Sequence, residues 1–437
     1  MIVNENNIRE KYFKMRNQPV DVFEITFQMT SECNFRCSYC YETKYPGTLN
    51  LESAYKVIDK LFDCQDNLEW WNGFLMGNYT KNNISFNFFG GECFLEVDKM
   101  EKICEYFIDK CNTDPEKYKE RLKNFKIICQ TNGSLLNTPK VKAFITKWEK
   151  YMENIFITID GSKEFHDKCR VLKNGGGPTW QIVHDNIMMI RKEFPNLYIV
   201  TKGTLGPETL PMLYDSFLAY FDSGFKRAKI TIRNDCKWTD NDLKIADEQY
   251  RKIMNYMLEH PTKYKDNYLY TLFAPQRQWE EGERRFECVG SCHANGAGFV
   301  LTVDDRLYVC FNFTELSIPK FLGRKDPVLG TVEGGITNEG MEFVNKLLHM
   351  IDKYQLEHEE CKHCNIQHTC EFCPATNYKM CGDIEQDNKW ACEMRKIEQH
   401  YALLYQYYRD KLYSDLYDDE NRLIMKGEAT NEEINRN

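Results

Sequence analysis

Hydrophobic and polar positions alternate along the first half of the chain in two different periods. Short runs rich in β-branched and aromatic residues, bounded by Gly, Asn or Asp, predict strands at Val22–Met29, Ile84–Phe89, Phe125–Gln130, Ile155–Ile159, Leu197–Lys202 and Ala228–Ile232. Between them the period lengthens to that of a helix, at Leu51–Phe62, Glu96–Lys110, Thr138–Lys150 and Gln181–Glu193. Strand–helix alternation of this kind builds a parallel sheet with crossover helices, and six units suit an incomplete barrel. In such α/β folds the chemistry gathers at the C-terminal ends of the strands.

The alternation stops after Asp235. A helical stretch, Asn241–Leu258, leads into a cysteine-rich region, and an amphipathic helix at Met394–Leu412 follows the last cysteine. The insertion Cys64–Asn83 is polar and aromatic, and reads equally as a substrate entrance or a passive surface loop. The tail beyond Met425 is polar and expected to be disordered. The expected divisions are an N-terminal segment 1–21, a barrel 22–235, a bridging helical region 236–287, a cysteine-rich domain 288–393, and a C-terminal helix and tail 394–437.

Composition narrows the function. The 437 residues are 42% hydrophobic, enough for one large domain and a smaller one. A formal net charge of -9 argues against a nucleic-acid partner, which needs a basic footprint. No run of 18 apolar residues predicts a membrane span, and the polar start MIVNENNIREKYFKMRNQ lacks a signal-peptide core. A cytoplasmic protein is expected. Its 19 cysteines then need a reason, because reducing compartments disfavour disulfides and favour metal sites. Three fall at Cys33, Cys37 and Cys40, and nine between Cys288 and Cys392. The other seven are scattered and read as small buried hydrophobes.

Cys33-Asn-Phe-Arg-Cys37-Ser-Tyr-Cys40 directly follows the first predicted strand. Three thiolates in eight residues can hold one corner of a cubane iron–sulfur cluster, and a missing fourth leaves an open position for a substrate. From the cysteines alone, a zinc site completed by a distant residue competes with that reading. Further patterns stand at the ends of successive strands: Phe89-Gly90-Gly91-Glu92, Thr131-Asn132-Gly133 and Ile157-Thr158-Ile159-Asp160-Gly161, then His166-Asp167 and Arg170. Each alone is more often a plain turn or strand-end cap; the ordered set is specific.

This set resembles the radical S-adenosylmethionine (SAM) superfamily, whose signature is CxxxCxxC with an aromatic, here Tyr39, before the last Cys. The resemblance implies a partial (β/α)6 barrel. It implies a [4Fe-4S] cluster on Cys33, Cys37 and Cys40 that chelates SAM and cleaves it to a radical. Gly90, Gly91 and Glu92 would serve the SAM ammonium, and Thr131, Asn132, Thr158 and Asp160 would contact SAM. Arg170 would pair with the SAM carboxylate. The family usually has Pro after its GGE; here Cys93 stands there, a tolerated substitution rather than a reactive thiol.

The downstream cysteines resemble the SPASM extension, which carries two auxiliary [4Fe-4S] clusters, giving three in all. By that resemblance Cys288, Cys292, Cys310 and Cys373 hold one, and Cys361, Cys364, Cys370 and Cys392 the other, with Cys381 left over. Two departures stand out. Asp305 replaces a glycine, and two rather than three residues separate Cys370 from Cys373. His363 and His368 are alternative ligands that read better as surface histidines. In isolation, Cys361–Cys373 has zinc-ligand spacing, so a zinc-binding interaction protein is the non-enzymatic alternative.

Among SPASM proteins the chain resembles maturases of ribosomally made, cysteine-rich or CXXX-repeat precursor peptides. An oxidative crosslink, chiefly a Cys thioether, is the implied product, with peptide C–C crosslinking as an alternative. Anaerobic sulfatase-maturating enzymes, which make formylglycine, are the rival. They carry an Asp base directly after the second auxiliary Cys, where this chain has Phe311 after Cys310. An electron donor such as flavodoxin or ferredoxin is implied. About twenty residues precede the first strand, too few for a leader-binding domain, so a separate leader-binding protein or another surface is expected.

Overall fold

A computed structural model of the chain describes residues 22–63, 66–74, 82–223, 225, 227–260, 268–269, 294, 298–314, 326–364, 366 and 373–413. The first half runs β1 (Phe23–Gln28), α1 (Leu51–Phe62), α2 (Leu68–Trp71), β2 (Ile84–Phe89), α3 (Val97–Asn112), α4 (Lys119–Asn124), β3 (Lys126–Thr131), α5 (Pro139–Trp148) and β4 (Met152–Thr158). It continues through α6 (Lys163–Cys169), α7 (Trp180–Glu193), β5 (Ile199–Leu205), α8 (Leu213–Asp222), β6 (Arg227–Ile232) and α9 (Asp240–Glu259). The six predicted strands are all present, and β1 to β6 pair in parallel in chain order.

Parallel strands buried on both faces explain why β1 is covered throughout. Phe23, Ile25 and Phe27 are fully buried, and Phe27 meets the ring of Phe86 edge-on at 5.0 Å. Each such side chain contributes about 2 kcal/mol of burial. The alternate positions of the same strand are polar and face the barrel interior. Glu24 Oε1 accepts from Thr26 Oγ1 (2.9 Å) and from Asn87 Nδ2 on β2 (3.0 Å). The chain of bonds continues from Gln130 Nε2 on β3 to Asn87 Oδ1 (3.3 Å), and from Lys202 Nζ on β5 to Gln130 Oε1 (2.7 Å). The barrel therefore has an apolar outside, under its helices, and a hydrogen-bonded polar floor.

The sheet does not end where the alternation ends. Strands β7 (Tyr268–Leu269), β8 (Gly298–Leu301), β9 (Arg306–Tyr308), β10 (Gly330–Thr331) and β11 (Gly335–Ile336) extend it to eleven strands, in the order β11-β10-β9-β8-β1-β2-β3-β4-β5-β6-β7. Strand β8 lies parallel to β1, so part of the cysteine-rich region is built onto the barrel's own edge. Gly298 permits this: a Cβ there would run into the Glu24 carbonyl. Four helices follow: α10 (Asn338–Glu357), α11 (Glu359–Lys362), α12 (Pro374–Cys381) and α13 (Lys389–Tyr413). Helix α13 starts earlier than periodicity predicts and takes Cys392 into its first turn; Asn388 Oδ1 accepts from Ala391 N (3.4 Å) at that start.

The described part of the aromatic insertion is structural. Trp70, Trp71 and Phe74 are buried around Phe299, and Trp70 Nε1 donates to Val332 O (2.8 Å). Trp71 also meets Phe23, at the N-terminal end of β1, the end opposite the cysteine loop. Among the described residues, no helix is long and apolar enough to cross a membrane. The segment 1–21 and the tail beyond Met425 lie outside the described residues.

Candidate active site at the C-terminal end of the barrel

The loop after β1 carries Cys33, Cys37 and Cys40, and its neighbours hold it from several sides. On one side it pairs with the segment after α6. Arg36 N donates to Val171 O (2.8 Å), Ser38 N to Cys169 O (2.9 Å) and Lys173 N to Asn34 O (2.8 Å). From another side the loop after β2 presses against its start. Gly91 N donates to Thr30 O (2.8 Å), and Glu92 N to Glu32 O (3.0 Å). A Cβ on Gly90 would run into the Thr30 carbonyl, and one on Gly91 into the Glu32 carbonyl. Two glycines are what lets these backbones touch.

Glu92 is fully buried behind that contact. Its Oε1 accepts from Thr131 Oγ1 (2.7 Å) and Phe94 N (3.2 Å), and its Oε2 from Asn132 N (2.7 Å). Burial pushes its carboxyl above the usual range, and these three donors oppose that push. The side chain thus ties the β2 loop to the turn after β3. Gly90 and Gly91 line the cavity. In that turn, Asn132 Nδ2 donates to Asn34 Oδ1 (2.7 Å) and points an N–H at Cys33 Sγ (3.7 Å). The adjacent Cys93 is fully buried and donates to Gln130 O (3.2 Å). Burial holds its thiol protonated, which removes it as a nucleophile.

A buried chain of charge crosses the third side. Arg170 NH1 donates to Tyr39 Oη (2.8 Å), and the Tyr39 hydroxyl donates to Asp160 Oδ2. Asp160 Oδ1 accepts from Thr204 N (3.0 Å). The Arg170 guanidinium also lies 5.7 Å from the Phe35 ring and 6.0 Å from the Tyr39 ring, both within the cysteine loop. His166 fixes this unit from behind. Its Nδ1 accepts from Asp160 N (3.1 Å), and its Nε2 lies 2.9 Å from Thr179 Oγ1, which donates to Arg170 O (2.7 Å). Those bonds require a neutral ring with its proton on Nε2. Burial, reinforced by Arg170, pushes the imidazole down to about 2.

These elements surround a cavity of about 950 Å³. The three cysteines, Thr131, Thr158 and Arg170 line one part of it. Burial pushes the Cys37 thiol up to about 11; Arg170 pulls it back, while Asp160, Cys40 and Cys33 push it further. Three thiols on one part of the cavity wall form a donor set that fits a cluster. Arg170 is 5% exposed, and its Nε has no hydrogen-bond partner among the described residues. A buried, unpaired guanidinium N–H beside three thiols fits the carboxylate of a cluster-bound amino acid such as SAM.

The cavity wall also contains residues that no sequence motif marks. Lys44 Nζ pairs with Glu42 Oε2 (2.5 Å), with both side chains nearly buried. Asp235, past the end of β6, receives Lys379 Nζ of α12 (2.7 Å) and Arg233 Nε (3.1 Å). Phe311 packs on Phe89 with ring centroids 4.9 Å apart. The signal available for Lys202 and Asp235 was their place at or beyond strand ends, used for the first four strands only.

Of the downstream cysteines, Cys288, Cys292 and Cys370 lie outside the described residues, as does His368. The turn after Cys310 packs on the helix after Cys373, with Phe313 and Tyr378 at 6.1 Å. The segments that carry Cys310 and Cys373 thus pack on each other. Lys396 Nζ donates to Glu393 Oε1 (2.7 Å), the bond that raises its ammonium most, and Cys364 and Cys392 add to the rise.

The fold and the strand-end motifs are similar to those of radical SAM peptide maturases with a SPASM-type extension. No family profile matches the chain. Its sequence is 28% identical over 190 residues to a cysteine-type anaerobic sulfatase-maturating enzyme of Clostridium novyi, covering 40% of this chain and 42% of that protein. It is 28% identical over 162 residues to the antilisterial bacteriocin subtilosin biosynthesis protein AlbA of Bacillus subtilis, covering 36% and 29%. Each match spans less than half of the relative's length. The solved structure of native anSMEcpe with bound AdoMet and Kp18Cys peptide superposes with a TM-score of 0.62 at 18% identity, covering 89% of this chain and 99% of that one.

Proposed function

We propose that this chain takes hydrogen from a carbon of a ribosomally made precursor peptide and installs an oxidative crosslink, a thioether from a peptide cysteine. The carrying observation is the cavity, where the three thiols and Arg170 share one space with Phe311, Ala375 and Lys379 of the C-terminal region. When bound, a cluster and SAM supply a primary carbon radical at the thiol end. Arg170 orients the SAM carboxylate, Tyr39 and Asp160 hold Arg170, and Asn132 directs an N–H at the Cys33 sulfur. The polar floor from Glu24 to Lys202 fixes the barrel interior, and the covering aromatic wall at Phe89 and Phe311 keeps water from the reacting carbon. Auxiliary clusters on Cys288, Cys292, Cys310 and Cys373, and on Cys361, Cys364, Cys370 and Cys392, complete a three-cluster enzyme. A flavodoxin or ferredoxin donor, a reducing cytoplasm and a separate leader-binding protein belong to the same reading.

The sulfatase-maturating relatives support a second reading, formylglycine formation. One observation weighs against it. That chemistry needs a carboxylate base, and Phe311 occupies the position expected for it. The three carboxylates lining the cavity are committed. Glu24 accepts from Thr26 and Asn87, Glu42 pairs with Lys44, and Asp235 pairs with Lys379 and Arg233. Burial pushes the Asp235 carboxyl up, but Lys379 and Arg233 outweigh it and hold it below the usual range.

The test is anaerobic co-expression with a short cysteine-rich peptide encoded nearby, followed by mass spectrometry. Loss of two hydrogens per modified site is expected, and Cys37→Ala should abolish both that change and deoxyadenosine formation. A cysteine converted to an aldehyde would select the second reading. A colourless protein holding only zinc would overturn both.

A further inference from the structure

His358 stands just before the cysteine run and was not among the histidines the sequence singled out. It caps the start of α11, and its carbonyl accepts from Cys361 N (3.0 Å), so His358 and Cys361 lie on one turn. The loop between α12 and α13 brings Asp387 to the same place. His358 Nδ1 lies 3.1 Å from Asp387 Oδ2, and Asp387 is nearly buried. One donor atom from each of His358, Cys361 and Asp387 falls within 4.8 Å of the others. The leftover Cys381 takes part indirectly: its Sγ donates to Asp387 O (3.5 Å) and so anchors the loop that carries Asp387.

A histidine whose Nδ1–H is held by a carboxylate presents Nε2 as the lone-pair donor, the arrangement that orients metal-ligating histidines. An exposed histidine on a plain surface has no need of a nearly buried carboxylate partner beside a thiol. We infer that His358 is a ligand of the metal centre at Cys361, oriented by Asp387, and that this centre has a mixed thiolate–imidazole donor set. The inference rests on the proposed auxiliary clusters and revises one of them: His358 takes the place of one of the four thiolates proposed for the centre at Cys361. Replacing an anionic thiolate with a neutral imidazole removes one negative charge from the ligand set and raises the reduction potential. The centre at Cys361 therefore has a higher potential than the same centre would have with four thiolates.

The experiment uses the full chain with Cys33, Cys37 and Cys40 all changed to Ala, so that only auxiliary centres remain. After anaerobic reconstitution and reduction, pulsed EPR reads nitrogen coupling, and chemical analysis reads iron, sulfide and zinc. A strongly coupled nitrogen is expected. His358→Ala should remove it and lower the iron content. Asp387→Asn should weaken iron retention, and His358→Cys should restore iron without the nitrogen signal and lower the midpoint potential. The same spectra from the chain with all three cysteines intact guard against a folding defect in that background. Iron and spectra unchanged by His358→Ala would overturn the inference and leave the auxiliary clusters standing. Zinc without iron, or no metal, would overturn both.

Discussion

Two cysteine sets in one chain are supported in different ways. Cys33, Cys37 and Cys40 lie in a loop that protein bonds hold on several sides: the paired backbone at residues 169–173, the glycines pressed on Thr30 and Glu32, and the Arg170–Tyr39–Asp160 chain. Cys361 and Cys373 lie instead at short helices of four and eight residues. Among the described residues, α12 is held by contacts between side chains, such as Phe313–Tyr378 and Lys379–Asp235. A site that must hold a reactive radical in one geometry needs a scaffold fixed before the cofactor arrives. A site that only holds and passes electrons can be organised by its metal, because metal binding energy then becomes folding energy.

The largest effect that sharpens this contrast is metal removal. Stripping iron with a chelator under anaerobic, reducing conditions should leave amide exchange in β1–β4 unchanged. In α11 and α12 it should rise at least about 100-fold, since local opening there is no longer opposed by ligation. Hydrogen exchange read by mass spectrometry decides this. Equal loosening of both regions would mean that the barrel loop also depends on its metal.

Within the barrel site, the next effect separates orientation from charge. Arg170→Lys keeps a cation but loses the planar fork that serves Tyr39 with one N–H and leaves Nε–H for a ligand. SAM binding should weaken about 10- to 100-fold, equivalent to about 1.4–2.7 kcal/mol, with iron content unchanged. Equilibrium dialysis with labelled SAM measures it. Unchanged affinity would show that Arg170 serves only to clamp Phe35 and Tyr39.

Much of this was legible in the sequence because strand-end motifs are local. The six strands, the cysteine loop and the turns at Gly90–Glu92 and Thr131–Gly133 follow from short-range pattern alone. The direction each side chain faces did not. FEITFQ displays its alternation openly, yet period two does not say that Glu24, Thr26 and Gln28 face inward, because both faces of a parallel strand are covered. Glu92 reads as a ligand group in a motif, and only the fold shows its carboxylate occupied by Thr131 and Asn132. Pairing of β8 with β1 joins residues more than 270 positions apart, a contact no local period encodes. His358 escaped for the same reason: its partner Asp387 is contributed by a different loop.

The smallest effect concerns His166, and it tests whether the barrel site is held together independently of any ligand. In the unfolded chain its imidazole titrates at about 6.5; in the folded chain burial and Arg170 depress it to about 2. A depressed group binds fewer protons when folded, so its contribution is fully present above pH 6.5 and is lost as pH falls through the interval below. At pH 5 the loss amounts to about 2 kcal/mol. Glu92 and Asp160 have raised carboxyls and titrate with the opposite sign, so the raw pH profile mixes them. The variant His166→Asn isolates the histidine: its amide oxygen can still accept from Asp160 N, but it cannot take a proton. Urea unfolding from pH 7.5 to 5 should show the variant less stable at the upper end and flatter in slope, by about 2 kcal/mol over the range. Parallel profiles would mean that the ring is already charged in the folded chain. In that case the neutral relay from Asp160 through His166 and Thr179 to the Arg170 carbonyl does not exist as drawn.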